Sequence, residues 1–135
     1  HRNTFINSPR LLDSHLRLRG TEALYFAGQI TGAEGYVEAA ACGAMTGIHA
    51  ARQILELPPV EFPPNTAFAA VVAHLQNAET ADFQPANVTW AFFDGARARE
   101  SKYDRRRRLA LEALEAMQAF ACNHLSGPGV PVSHT

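Results

Sequence analysis

A short apolar run, Ala23-Leu24-Tyr25-Phe26-Ala27, enters a loop with three glycines, Gly28, Gly32 and Gly35, and a long helical signal follows through about Leu57. A run of that length with two aromatics reads as a buried strand. The glycines let the backbone take positive φ or approach another group closely. The start of the helix turns several N–H groups that have no intrahelical partner, and a partial positive charge, back toward the loop. Strand, glycine loop and helix N-terminus together suit an electron-rich or anionic ligand group.

The helix is built from small residues: Ala39, Ala40, Ala41, Gly43, Ala44, Gly47, Ala50 and Ala51. Two mid-helix glycines cost roughly 1 kcal/mol each relative to alanine, so something must offset them. Close approach of the helix to a sheet or a cofactor does so. Tight helix packing without any ligand does so equally well, and the pattern alone leaves both readings open.

The length of 135 residues is enough for one domain with a real core. A net charge of −1 with 47% apolar residues fits a folded globular chain and excludes a disordered one. No apolar run is long enough to span a membrane, and the polar N-terminus lacks the apolar core of a signal peptide. Cys42 and Cys122 lie far apart on expected helices, which fits free thiols in a reducing compartment such as the cytoplasm. The six histidines are scattered, with no metal-ligand spacing and no CxxC. No reacting acid, base or nucleophile can be assigned.

Ala27-Gly28-Gln29-Ile30-Thr31-Gly32, Glu34-Gly35-Tyr36-Val37-Glu38-Ala39-Ala40, Gly43, Gly47 and Ala50-Ala51-Arg52 resemble the C-terminal flavin motif of the folate- and FAD-dependent tRNA (uracil-5-)-methyltransferases, the TrmFO family. The sister family, MnmG/GidA, has Thr-Thr-Gly-Tyr-Glu-Glu where this chain has Ala33 to Glu38, so the Glu-Gly-Tyr-Val-Glu form favours the methyltransferase. His1 to Leu12 resembles the segment that precedes the motif in that family. The resemblance is weaker at Pro63 to Ala69, Phe83 to Val88 and Lys102 to Arg108. His49 stands where the family usually has Asn, Cys42 where it has Ser, and Ala91 where it has Gly.

The resemblance implies an α/β fold, the C-terminal part of a Rossmann-like FAD-binding domain, residues 1–57; the prolines that follow mark a boundary to a mainly helical extension, residues 58–125, and Gly127, Pro128, Gly129 and Pro131 mark residues 126–135 as a disordered tail. With no G-x-G-x-x-G and a first residue of His1 rather than Met, it also implies a fragment that requires the N-terminal remainder of the same protein. FAD would meet Gly28, Gln29, Ile30, Gly35, Tyr36 and Val37. Gln29 would hydrogen-bond the ribityl chain, and the helix-start N–H groups would stabilise charge on the reduced flavin. Arg2, Asn3 and Thr4 would line a substrate pocket, although a polar loop explains them as well. Glu34 and Glu38 are explained by the helix dipole, and Cys42 by packing. The whole protein would make 5-methyluridine in tRNA, taking carbon from methylenetetrahydrofolate and electrons from NAD(P)H through FAD. The alternatives are a GidA-type enzyme of the wobble uridine and a non-catalytic RNA-binding or scaffold module.

Along the rest of the chain, Leu11, Leu12, Leu16 and Leu18 point to apolar contacts around a short helix or irregular segment. Pro58-Pro59 ends the long helix, and Val60 to Pro64 is an extended connector. Asn65 or Thr66 caps a second helix with an apolar stripe at Phe68, Val71, Val72 and Leu75. His74, beside that stripe, is read as a surface residue. Asn87 to Trp90 has β character. The last helix runs from about Ser101 to His124, with Leu111, Leu114, Met117, Ala121 and Leu125 on one face and Leu109, Ala113 and Phe120 beside it. Lys102, Arg105, Arg106, Arg107 and Arg108 at its start form either a solvated, partly paired surface or a phosphate contact for tRNA.

Overall fold

The computed structural model describes residues 4–77, 82–93 and 99–125. The expected pocket residues Arg2 and Asn3 and the expected tail, residues 126–135, lie outside the described residues. Among the described residues, four α-helices follow in order: α1 (Ser8–Leu11), α2 (Tyr36–Ile54), α3 (Ala67–Gln76) and α4 (Lys102–His124), with 3₁₀ turns at Gly28–Thr31 and Trp90–Phe92.

The described residues are mainly helical and contain no strand, so the helical part of the expected α/β fold is what they present. The Ala23 to Ala27 run is extended but pairs only briefly. Leu18 N–H donates to the Leu24 carbonyl at 2.8 Å and Phe26 N–H to the Leu16 carbonyl at 2.9 Å, around an isolated Arg17–Tyr25 bridge. A ladder needs a straight neighbour, and this neighbour is a tight turn. Leu16 has φ 62°, while the Asp13 carboxylate accepts N–H groups from His15 at 2.9 Å and Arg17 at 3.1 Å. Asn87 to Trp90 likewise forms no strand. Ala86 makes one parallel bridge to Ala33, and the chain then coils into the 3₁₀ turn.

The helix ends follow local chemistry. α2 stops at Ile54, three residues before the expected Leu57. Glu56 takes a left-handed φ of 54° and Leu57 N–H returns to the Arg52 carbonyl at 2.8 Å, a six-to-one closure ahead of the prolines. Thr66 caps α3 by accepting Ala69 N–H at 3.3 Å, and Ser101 caps α4 by accepting Asp104 N–H at 3.1 Å. α3 buries Ala70, Val71 and Leu75 and packs Phe68 and Val72 against them. His74 is not simply at the surface: half-buried, it meets the Gln84 carbonyl at 3.1 Å and the ring of Phe83.

The face of α4 also differs from expectation. Leu109 and Phe120 are buried and Met117 packs beside them, whereas Leu111, Leu114 and Leu125 are exposed. Phe62 explains the rotation. Leaving the proline-rich connector, it stacks on Phe120 at 4.7 Å and on Phe68 at 5.4 Å, and it meets the edge of His49 at 5.8 Å. One ring thus joins α2, α3 and α4, and the largest α4 side chain able to reach it sets the inward face.

His49 is buried against this cluster, with its ring 4.5 Å from that of His15 and its Nδ1 without a hydrogen-bond partner. Burial pushes its pKa down from 6.5 to about 4. The charges of His15 and Arg52 act in the same direction, and the carboxylates of Glu61 and Asp13 oppose them. The folded state therefore keeps His49 neutral while the unfolded state protonates it, and stability falls as pH drops from 6.5 toward 4.

Two outcomes are expected. The fall in thermal midpoint between pH 7 and pH 5 should be smaller in His49→Asn than in the parent, and an identical fall would remove His49 as its source. Gly32, at φ 93°, has the Phe83 ring 2.6 Å from where a Cβ would stand. Gly32→Ala should cost roughly 3 kcal/mol in urea unfolding, from strain plus overpacking. Gly20→Ala, at φ 80° in open space, should cost only about 1 kcal/mol.

Candidate functional site

The glycine loop is held by contacts from three parts of the chain. Ile6 N–H donates to the Ile30 carbonyl at 2.9 Å, and the buried Ser8 Oγ donates to the Thr31 carbonyl at 2.6 Å. Thr31 Oγ1 closes the 3₁₀ turn on the Gly28 carbonyl at 2.7 Å. On the other side, Ala86 N–H meets the Gly32 carbonyl at 3.0 Å and Glu34 N–H meets the Ala86 carbonyl at 3.1 Å. The loop is therefore a fixed lead-in to α2.

Gly35 is the N-cap of α2, at φ 94°, and no side chain caps the helix. A Cβ there would displace the Glu38 carboxylate and the Asn87 amide, and the φ of 94° itself favours glycine. Tyr36 is 98% exposed, and Gly35, Val37 and Gln29 are exposed as well. Gly28 and Ile30 are half-buried, with Gly28 against Ala39 in the first turns of α2. The first N–H groups of α2 thus open outward with a partial positive charge. Glu38 does more than complement the dipole: its Oε1 accepts Val88 N–H at 3.1 Å and ties the following segment to the helix start. The sequence reading missed that role and the Ala86 pairing, although the Phe83 to Val88 resemblance marks the segment involved. Thr4 is exposed, two residues before the Ile6–Ile30 contact.

The small-residue helix divides into two faces. Cys42, Met45, Thr46 and His49 are buried. Cys42 Sγ lies 3.7 Å from Thr31 Oγ1, a packing position. Ala40, Gly43, Ala44, Gly47 and Ala51 are exposed, and a Cβ at Gly43 or Gly47 would meet nothing within 4 Å. This face continues to Ile54, which is 81% exposed. A larger cleft of about 710 Å³, lined by His15, Arg17, Tyr25, His49, Arg52 and Gln53, contains none of the expected cofactor residues.

At the start of α4 the cations separate into two groups. Arg108 binds both oxygens of Glu100 at 2.8 Å and both of Glu112 at 3.2 Å. Arg105 donates to the Phe93 carbonyl at 2.7 Å and is half-buried. Lys102, Arg106 and Arg107 are exposed, and the Arg106 guanidinium lies 5.5 Å over the centre of the Trp90 ring. Among the described residues, no group of three or more His, Cys, Asp or Glu side chains is placed to hold a metal. No helix among them is long and apolar enough to cross a membrane.

The family model for glucose inhibited division protein A matches residues 1–58. A methylenetetrahydrofolate–tRNA-(uracil-5-)-methyltransferase TrmFO of Heliobacterium modesticaldum is 48% identical over 126 residues, 88% of this chain and 28% of the relative. The TrmFO of Geobacter sulfurreducens is 49% identical over 114 residues, 84% of this chain and 26% of the relative. That of Pelotomaculum thermopropionicum is 48% identical over 121 residues, 89% and 28% respectively. The chain thus spans just over a quarter of the length of the curated relatives it matches. Over the residues it shares with them, the chain is homologous to the TrmFO methyltransferases, and residues 1–58 relate it to glucose inhibited division protein A.

Proposed function

We propose that this chain is the closing part of the flavin site of a tRNA (uracil-5-)-methyltransferase that uses methylenetetrahydrofolate, FAD and NAD(P)H. The observation that carries the reading is the uncapped, exposed start of α2 at Gly35, Tyr36 and Val37, with the turn that holds Gln29 packed on α2 through Gly28 and Ala39. The name of the relatives supplies tRNA uracil and methylenetetrahydrofolate as substrates.

The residues fit the cofactor. The N–H groups of Tyr36 and Val37 offer donors and a partial positive charge to an electron-rich ring edge. Gln29 offers both a donor and an acceptor to a polyhydroxyl chain. Gly28 and Ile30 form the wall of the turn, and the exposed Thr4 would face substrate beside it. When bound, FAD supplies the relay of electrons from NAD(P)H to the one-carbon unit. The chain's own part is to orient the ring, exclude water from one edge of it and hold negative charge there.

In this reading residues 1–57 close a Rossmann-like FAD-binding domain, and the extended Leu24–Phe26 segment lies at the edge of its sheet. Residues 58–125 form the helical extension. The exposed face of α2 is covered by the remainder of the protein, which is also where the reacting nucleophile would lie.

The protein from the complete reading frame, purified without added cofactor, should show a flavin absorption spectrum, and Gly35→Ala should lose most of it. A colourless folded parent would overturn the reading. With methylenetetrahydrofolate and NAD(P)H it should form 5-methyluridine in tRNA, whereas modification confined to the wobble uridine would assign it to the GidA type. Gly43→Ala and Gly47→Ala should each stabilise the isolated 135-residue chain by about 1 kcal/mol and destabilise the complete protein. Equal stabilisation of both would show that the face stays bare.

A further inference from the structure

The cations at the start of α4 are unequal. Residues 99–108 carry six cations and two carboxylates. Both carboxylates are engaged within the segment: Glu100 holds Arg108, and Asp104 accepts the Ser101 hydroxyl at 2.6 Å. Arg105 is turned inward onto the Phe93 carbonyl. Among the described residues, Lys102 and Arg106 have no carboxylate partner. They are one helical turn apart and line the same notch, about 170 Å³, with Trp90, Ala91, Arg105 and Leu109.

Trp90 forms the wall of that notch. It stands on the 3₁₀ turn capped by Thr89, 40% exposed, with Arg106 over its ring and Phe93 behind it at 5.8 Å. A large aromatic left in water beside unpaired cations matches the two parts of an exposed nucleotide. The indole and guanidinium planes stack a base, and Lys102 meets its phosphate. A-form duplex keeps its base faces stacked inside, so the matching form is an unpaired loop or bulge. An acidic peptide would satisfy the cations but leaves the indole unexplained.

We propose that the Trp90–Lys102–Arg106 notch is a contact for an unpaired nucleotide of the RNA substrate, and that Arg105 and Arg108 hold the helix rather than the RNA. The proposal rests on the reading of tRNA as substrate. The test is equilibrium binding of the complete flavin-loaded protein to unmodified tRNA over a range of salt concentrations. Trp90→Ala should weaken binding about tenfold, and Trp90→Phe should recover most of the loss. Lys102→Ala and Arg106→Ala should each weaken it several-fold and lower the slope of log Kd against log salt by about one. A retained flavin spectrum reports an intact fold. Lys102→Ala, a change on the exposed helix surface, decides the matter if Trp90→Ala loses flavin. Parent-like binding by Trp90→Ala with its flavin retained, or by Lys102→Ala and Arg106→Ala together, would overturn the proposal alone. A parent protein that does not bind tRNA would overturn the functional reading and this proposal with it. Displacement of tRNA by a polyglutamate peptide at matched charge, lost in Trp90→Ala, would assign the notch to an acidic protein partner instead.

Discussion

The site depends on the pairing of the Gly32 carbonyl and Glu34 N–H with Ala86. These two bonds hold a backbone that is left-handed at Gly32 and again at Gly35, a conformation with little intrinsic preference to persist in a loop. The Phe83 ring fills the space that a side chain at Gly32 would take, and the Glu38 carboxylate and Asn87 amide fill that at Gly35. Gly32 is therefore favoured by the ring packed against it as well as by its torsion, and Gly35 chiefly by its torsion. Ser8 and Ile6 hold the loop from the opposite side, so the direction of the α2 axis is set by residues on both sides of it in sequence.

Much of this was legible in the residues. Thr66 and Ser101 are local capping signals, and a cap needs only three or four neighbouring residues to be recognised. The α3 stripe is likewise a local periodicity. The uncapped start of α2 followed from glycine at position 35. What could not be read is what depends on distant partners. The Ala23 to Ala27 run has strand composition, but a strand is a relation between segments, and Leu16 bends its neighbour away. The inward face of α4 was assigned to its leucines. A ring in the connector, Phe62, selected Phe120 instead. Glu38 carried a satisfactory local explanation, which concealed its hold on Val88.

α2 poses an energetic question that its own contacts do not answer. Gly43 and Gly47 weaken the helix by roughly 1 kcal/mol each, yet no group among the described residues comes close enough to need them. Apolar Ile54 and Leu55 are exposed on the same stretch. Small residues permit close approach, so the cost is recovered only where a surface comes nearer than a Cβ would allow. The relatives are more than three times longer than the region they share with this chain. In the proposed reading, a covering surface from such a remainder would account for both the glycines and the exposed apolar residues.

The arginine run shows why counted charge is a poor measure of a binding surface. Arg108 is held by two carboxylates, and each bond made there reduces what it can offer to a phosphate. Arg105 is committed to a backbone carbonyl. Arg105 ties the start of α4 to the Trp90–Phe93 segment, and Lys102, Arg106 and Arg107 remain exposed. Sequence adjacency spreads four arginines around the helix, and the partners each one finds then separate structural cations from available ones. Arg106 stands apart because its neighbour is an aromatic face, which attracts the guanidinium without neutralising it. A cation held in place and still charged is preorganised for an anion, since little side-chain freedom remains to be lost on binding.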